Sequence, residues 1–146
     1  MPANLNPIFP LNPNVEFATL ITADASYTVP TTAGVVIFTA GVNGSKVDQI
    51  RARALGTNVQ TVLRLFVNDG LGTAAANFTL VYEKMLPAST AVATDITGAD
   101  IDILVPKDTG VNVCPIPHLS AGQKIYASIG TTVAAGWSVS AYGGDY

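Results

Sequence analysis

Charged side chains are scarce in this sequence of 146 residues. Asp, Glu, Lys and Arg make up 12% of it, against about 25% in an ordinary soluble domain. Because charge normally keeps soluble domains apart, the low charge favours a large area of protein–protein contact. A neutral, threonine-rich β surface is the alternative interpretation.

Basic residues are few and do not cluster. The formal net charge is −3, with only 7 Lys and Arg residues spread along the chain. Binding of a phosphate backbone requires a basic stripe or patch. We therefore expect no direct nucleic-acid partner.

Cysteine, long apolar runs and an export signal are also missing. The single cysteine, Cys114, excludes an internal disulfide framework. The longest apolar runs, such as residues 35–38 and 131–137, fall well short of the ~20 residues of a membrane span. The first residues lack the basic and apolar regions of a signal peptide. We expect a protein made in a reducing cytoplasm, with no membrane partner.

Residues suited to catalysis are few and isolated. Cys114 and His118 are separated by a Pro-Ile-Pro segment whose extended course keeps them ~10 Å or more apart, and a zinc site needs further ligands. Glu16 and Glu83 each lie alone in an alternating segment, and nothing places them at the ~5–9.5 Å spacing of glycosidase carboxylates. We expect no enzyme activity and no cofactor.

Four aspartates form a loose group in the second half of the chain, namely Asp95, Asp100, Asp102 and Asp108. Calcium binds clustered carboxylates, so a metal role stays open. On a strand, however, Asp100 and Asp102 would share one solvent-facing side. That solvated face is the favoured interpretation.

Residues 1–14 differ from the rest of the chain because prolines recur there at Pro2, Pro7, Pro10 and Pro13. Such a density of proline disfavours helix and removes backbone donors, so the segment is predicted to be an extended arm. Its large apolar residues are Leu5, Ile8, Phe9 and Leu11. Since burying each is worth roughly 1.5–3 kcal/mol, we expect the arm to dock on a partner. A disordered tail is the alternative.

From residue 15 onward the pattern is typical of β-strands, and no long stretch has helical periodicity. Trp137, Val139 and Ala141 alternate with polar residues, for example, which predicts a core-facing side and Trp137 in the core. The candidate strands are 15–22, 26–29, 34–40, 46–55, 59–68, 78–86, 100–105, 111–116, 124–130 and 136–142. The sequence predicts one all-β domain over residues 15–146, an antiparallel β-sandwich of jelly-roll-like type.

Several turn-and-strand motifs resemble those of small virion proteins. They are TAGVNGSKVDQI at residues 39–50, VLRLFVNDG at 62–70, LSAGQKIYAS at 119–128 and GGDY at 143–146. Together they resemble tailed-bacteriophage virion structural proteins, most closely the capsid decoration (cement) proteins. The motifs carry no catalytic residue.

The resemblance implies a jelly-roll-like domain, often a homotrimer, that sits on the outer head surface of the virion and binds the major capsid protein. There it would stabilise the shell against the pressure of packaged DNA. The alternative is a tail or fibre component that binds a host glycan. The oligomeric state, the strand order and the head or tail location stay open.

Overall fold

The computed structural model describes residues 10–31, 34–90, 97–104, 116 and 118–146. These residues form nine strands and one short 3-10 helix, which is the only helical element within the described ranges. The elements are β1 (Asn12–Leu20), β2 (Val35–Thr39), β3 (Ser45–Ala54), β4 (Thr61–Asn68), the 3-10 helix (Ala75–Asn77), β5 (Phe78–Leu86), β6 (Asp100–Leu104), β7 (His118–Leu119), β8 (Lys124–Ile129) and β9 (Trp137–Asp145). The predicted all-β class is confirmed.

The strands form two antiparallel sheets that pack face to face. Sheet I has the order β1-β9-β3-β6, with β7 pairing beside β3, and sheet II has the order β2-β8-β4-β5. The chain passes from one sheet to the other after β1, β2, β3, β5, β7 and β8. This interleaved order is that of a jelly roll, so the predicted sandwich is confirmed.

The core lies between the sheets and is built by the predicted alternation. In β9, Trp137, Val139 and Ala141 are fully buried, and in β8 Ile125 and Ala127 face them across the sandwich. The prediction that Trp137 belongs to the core is therefore confirmed. Packing of side chains from both inner faces is the main source of stability in such a fold.

Some strand limits differ from those predicted. β1 begins at Asn12, so residues 12–14, which the sequence assigned to the arm, pair with β9. Pro13 is tolerated because β1 is an edge strand of sheet I. The strand predicted at 26–29 is wrong, since these residues form part of the connection between β1 and β2. The strand predicted at 111–116 lies almost entirely outside the described residues.

Candidate docking surfaces

The motifs noted in the sequence meet at one end of the sandwich, which we call the motif end. It contains the β2–β3 turn, the β4–β5 loop, the β7–β8 turn and the C-terminal residues. Gly44 has a φ of 87°, and a Cβ there would lie 2.7 Å from the carbonyl oxygen of Leu119. Glycine is thus required both for the backbone conformation and for the close approach of the two turns.

A second pair of motifs meets in the same way. Gly70 has a φ of 86°, and a Cβ there would lie 2.7 Å from the Gly122 carbonyl oxygen. The Asn68 carboxamide accepts a hydrogen bond from the Gly70 amide at 2.9 Å and donates to the Gly72 carbonyl at 2.7 Å. The NDG motif therefore shapes the β4–β5 loop against the β7–β8 turn.

The GGDY motif is held in place by the Asp145 carboxylate. It accepts hydrogen bonds from the Asn14 carboxamide at 3.1 Å and from the Ser45 hydroxyl. The Ser45 oxygen in turn accepts the Gly41 amide at 2.9 Å. A side chain at Gly143 would collide with the Lys46 carbonyl oxygen on β3. These hydrogen bonds join β1, β3 and β9 of sheet I at the motif end, so the residues have a structural role.

Two apolar side chains project from the motif end, and we call them the turn tips. Val42 in the β2–β3 turn is 90% exposed, and Leu71 in the β4–β5 loop is 85% exposed. Because β8 lies between β2 and β4 in sheet II, the two tips flank the β7–β8 turn. The Asp69 carboxylate accepts the Leu71 amide at 2.9 Å, which fixes the backbone that presents Leu71.

A second apolar surface lies on the outer face of sheet I. It consists of Val15, 54% exposed, Phe17, 75% exposed, and Tyr142, 39% exposed, and we call it the β1 strip. Val15 is directly opposite Tyr142, and Phe17 is opposite Ser140. These side chains are therefore neighbours on one side of the sheet.

The other half of that face is polar and paired. Arg51 on β3 binds the carboxylate of Asp100, and its Nε lies 3.4 Å from Asp102, both on β6. Asp100 and Asp102 thus share a solvent-facing side, as predicted, with Arg51 as their cation. The described part of the chain contains no group of three His, Cys, Asp or Glu residues that could hold a metal. Asp95 and Asp108 lie outside it.

A further ion pair lies on the same strand nearer the motif end. The Lys46 ammonium is 2.6 Å from the Asp48 carboxylate. The hydrogen bond to Asp48 and the negative charge of that carboxylate raise the pKa of Lys46 above its ordinary value. Both groups are nearly half exposed, so the pair contributes little to stability.

The acidic residues considered as a catalytic pair lie on different sheets. Glu16 on β1 accepts the backbone amide of Thr39 at 3.0 Å. Glu83 on β5 accepts the Arg64 Nε at 3.0 Å. His118 Nδ1 lies 3.1 Å from the Tyr146 hydroxyl, and their rings stack. Cys114 is outside the described residues.

Of the predicted docking residues, Leu5, Ile8 and Phe9 lie outside the described residues. Leu11 is described, and its side chain is 65% exposed. Its backbone amide donates to the Asp145 carbonyl at 2.8 Å, which places Leu11 beside the last residue of β9. Pro10 packs against the backbone of Gly144, where an added Cβ would lie 2.5 Å from the proline Cβ.

Sequence reasoning missed a buried arginine. Arg64 on β4 is 6% exposed, donates to the Asp24 carbonyl at 3.0 Å and binds Glu83. Its guanidinium carbon lies 4.2 Å from the centre of the Tyr27 ring. It therefore holds the β1–β2 connection against the outer face of sheet II. The signal was present in the sequence, because an arginine interrupts the apolar run VLRLF.

The fold and these surfaces define a jelly-roll β-sandwich protein with apolar side chains on its outside. No protein-family model and no curated protein matches the chain. No helix in the described ranges is long and apolar enough to cross a membrane.

Proposed function

We propose that this protein is a virion structural protein of a tailed bacteriophage, a decoration protein that binds the outer head surface and stabilises the shell against internal DNA pressure. The observation that carries the proposal is the pair of turn tips, Val42 and Leu71, exposed together at the end where the virion-protein-like motifs meet. The major capsid protein is the partner.

The motif end is suited to contact with another protein. Full burial of a side chain such as Val42 or Leu71 contributes roughly 1.5–3 kcal/mol. Both tips stand on turns that glycines and hydrogen bonds fix, so little conformational entropy is lost on docking. Asn43, Ser120 and Gly122 in the same turns are uncharged, and the Asp69 carboxylate beside Leu71 already accepts the Leu71 amide.

A structural role also fits the polar residues that catalysis would otherwise use. Glu16, Arg64 and Asp145 each bind groups of the fold itself. In the proposed role the protein catalyses no reaction and needs no cofactor. It stabilises the shell by mass action, because it binds the assembled surface and not the free subunits.

The test places a charge on each turn tip. We expect Val42→Asp combined with Leu71→Asp to reduce occupancy on virus particles at least tenfold, because each carboxylate would have to be desolvated. Virions assembled with each protein are scored for bound copies and for DNA release on heating. Both tips are exposed, so the melting temperature of the free protein should stay within about 2 °C.

The matched control is Val59→Asp, because Val59 is 55% exposed in the β3–β4 connection at the opposite end. This variant should keep full occupancy. Wild-type occupancy of the double variant would contradict the proposal. If the protein is located only on the tail, the glycan-binding fibre component becomes the better interpretation.

A further inference from the structure

We propose that the β1 strip of one copy binds residues 1–9 of a second copy. The inference rests on the proposed function in one respect, namely that the protein acts as an assembled structural component. It adds the receptor surface, Val15, Phe17 and Tyr142, and the segment that occupies it.

The strip has a shape that suits an extended segment. Phe17 stands beside Ser140 of β9, and Ser140 in turn lies opposite Arg51 of β3. Ser138 and Ser140 are small, so the sheet surface there forms a shallow shelf between the exposed Phe17 ring and the Arg51 side chain. Arg51 is already paired with Asp100 and Asp102, so it places no free charge on the shelf.

Residues 1–9, MPANLNPIF, have side chains that match this shelf. They include no charged side chain and, besides Met1, carry the large apolar side chains of Leu5, Ile8 and Phe9. Pro2 and Pro7 restrict the backbone before docking, which lowers the entropy lost on binding. In the extended polyproline conformation the segment reaches about 28 Å from Pro10.

The direction of β1 favours a second copy as the receptor. β1 runs from Asn12 to Leu20, so a chain extended backward from Pro10 leads away from its own Phe17. Pro10 packs on Gly144 and Leu11 binds the Asp145 carbonyl, which fix the point of departure beside β9. Reaching its own strip would require the segment to reverse direction next to two prolines.

If each copy gives its segment to a neighbour, every segment and every strip in the oligomer is occupied. Each copy offers one segment and one strip, which are different surfaces, so the contact is heterologous. A heterologous contact that closes gives a ring, and the trimer expected from the sequence resemblance is one such ring. Neither the strip residues Val15, Phe17 and Tyr142 nor residues 1–9 carry a charged side chain, so the two surfaces meet without like-charge repulsion between them.

Disulfide trapping between copies tests the inference on the free protein. In a Cys114→Ser background, copies with Asn6→Cys are mixed with copies with Ser140→Cys after unfolding and refolding, then oxidised. With equimolar mixing we expect a cross-linked pair of one copy of each kind to approach half of the chains, which is the limit set by random assembly. The matched control replaces Ser140→Cys with Gln60→Cys, which is exposed at the opposite end and should cross-link at least fivefold less.

A second measurement uses sedimentation of the full chain. Phe17→Asp should raise the dissociation constant of the oligomer at least tenfold, whereas Val59→Asp should leave it unchanged. Equal cross-linking at Ser140 and Gln60 overturns the inference. It is also overturned if a double variant, Asn6→Cys with Ser140→Cys, forms its disulfide only within single chains. Neither result bears on the turn tips, whose particle occupancy tests the proposed function separately.

Discussion

At the scale of single residues, buried polar side chains join loops that the core alone would not fix. Asn58 is 3% exposed, donates to the Gly136 carbonyl at 2.8 Å and accepts the amides of Ala135 and Gly136 at 2.9 and 3.0 Å. Its backbone pairs with Ser89. One residue, through its carboxamide and its backbone, thereby connects three loops at the end opposite the motif end.

Arg64 likewise fixes the β1–β2 connection, and its replacement tests this role directly. Arg64→Ala should lower the free energy of unfolding by roughly 2–3 kcal/mol, because the Asp24 carbonyl and Glu83 lose their donor and Tyr27 its cation. Glu83 is partly hydrated, so the loss stays below that of a fully buried ion pair. The measurement is chemical denaturation.

Arg53→Ala provides the control for Arg64→Ala, since Arg53 is an exposed arginine on β3. Its loss should change the free energy of unfolding by less than about 0.5 kcal/mol. If the two variants are equally stable, Arg64 does not hold the connection as described.

At the scale of secondary-structure elements, the free edge of β2 is sealed by side chains from β1. Glu16 accepts the Thr39 amide at 3.0 Å, and the Asn14 carboxamide donates to the Thr39 carbonyl at 3.2 Å. Unpaired strand edges promote sheet-to-sheet association. The sealed edge therefore disfavours strand addition at β2.

Replacement of Glu16 tests this seal. Glu16→Ala should cost about 1–3 kcal/mol by leaving the Thr39 amide without its acceptor, and amide exchange at Thr39 should accelerate. Glu16→Gln retains an acceptor oxygen and should recover most of that loss. Equal stability of the Ala and Gln variants would show that the carboxylate does not cap β2.

The faces of the long strands could be predicted from sequence, whereas several strand limits could not. Alternation places Trp137, Val139 and Ala141 inside because the strand period is two. The two-residue strand β7 is too short to show a period, and it forms because Gly44 lets the β2–β3 turn approach Leu119. The start of β1 at Asn12 depends on pairing with Asp145, which is distant in sequence.

The candidate surfaces were predicted only in part. The apolar arm stays a prediction from composition for residues 1–9, whereas Val42 and Leu71 lie in turns where a single apolar residue has no periodic signal. The exposure of Phe17 follows from the position of β1 in sheet I, which requires the strand order. Those features depend on tertiary contacts.

At the scale of the whole molecule, the jelly roll brings the first described residues and the C-terminus to the motif end. Leu11 pairs with Asp145, and Tyr146 donates its amide to the Gly44 carbonyl at 3.1 Å. The turn tips project from that end, and Pro10, the first described residue, lies there beside Gly144. One end of the molecule is thus proposed to bind the shell, and the face of sheet I a neighbouring copy.

The most direct test of this account is a cryo-electron microscopy map of the parent virus particle. We predict density for the jelly roll on the outer face of the head shell, with the motif end and the residues Val42 and Leu71 toward the major capsid protein. Neighbouring copies should be linked by density along the β1 strip. Density found on the tail alone, or heads that lack the protein, would contradict the proposed role.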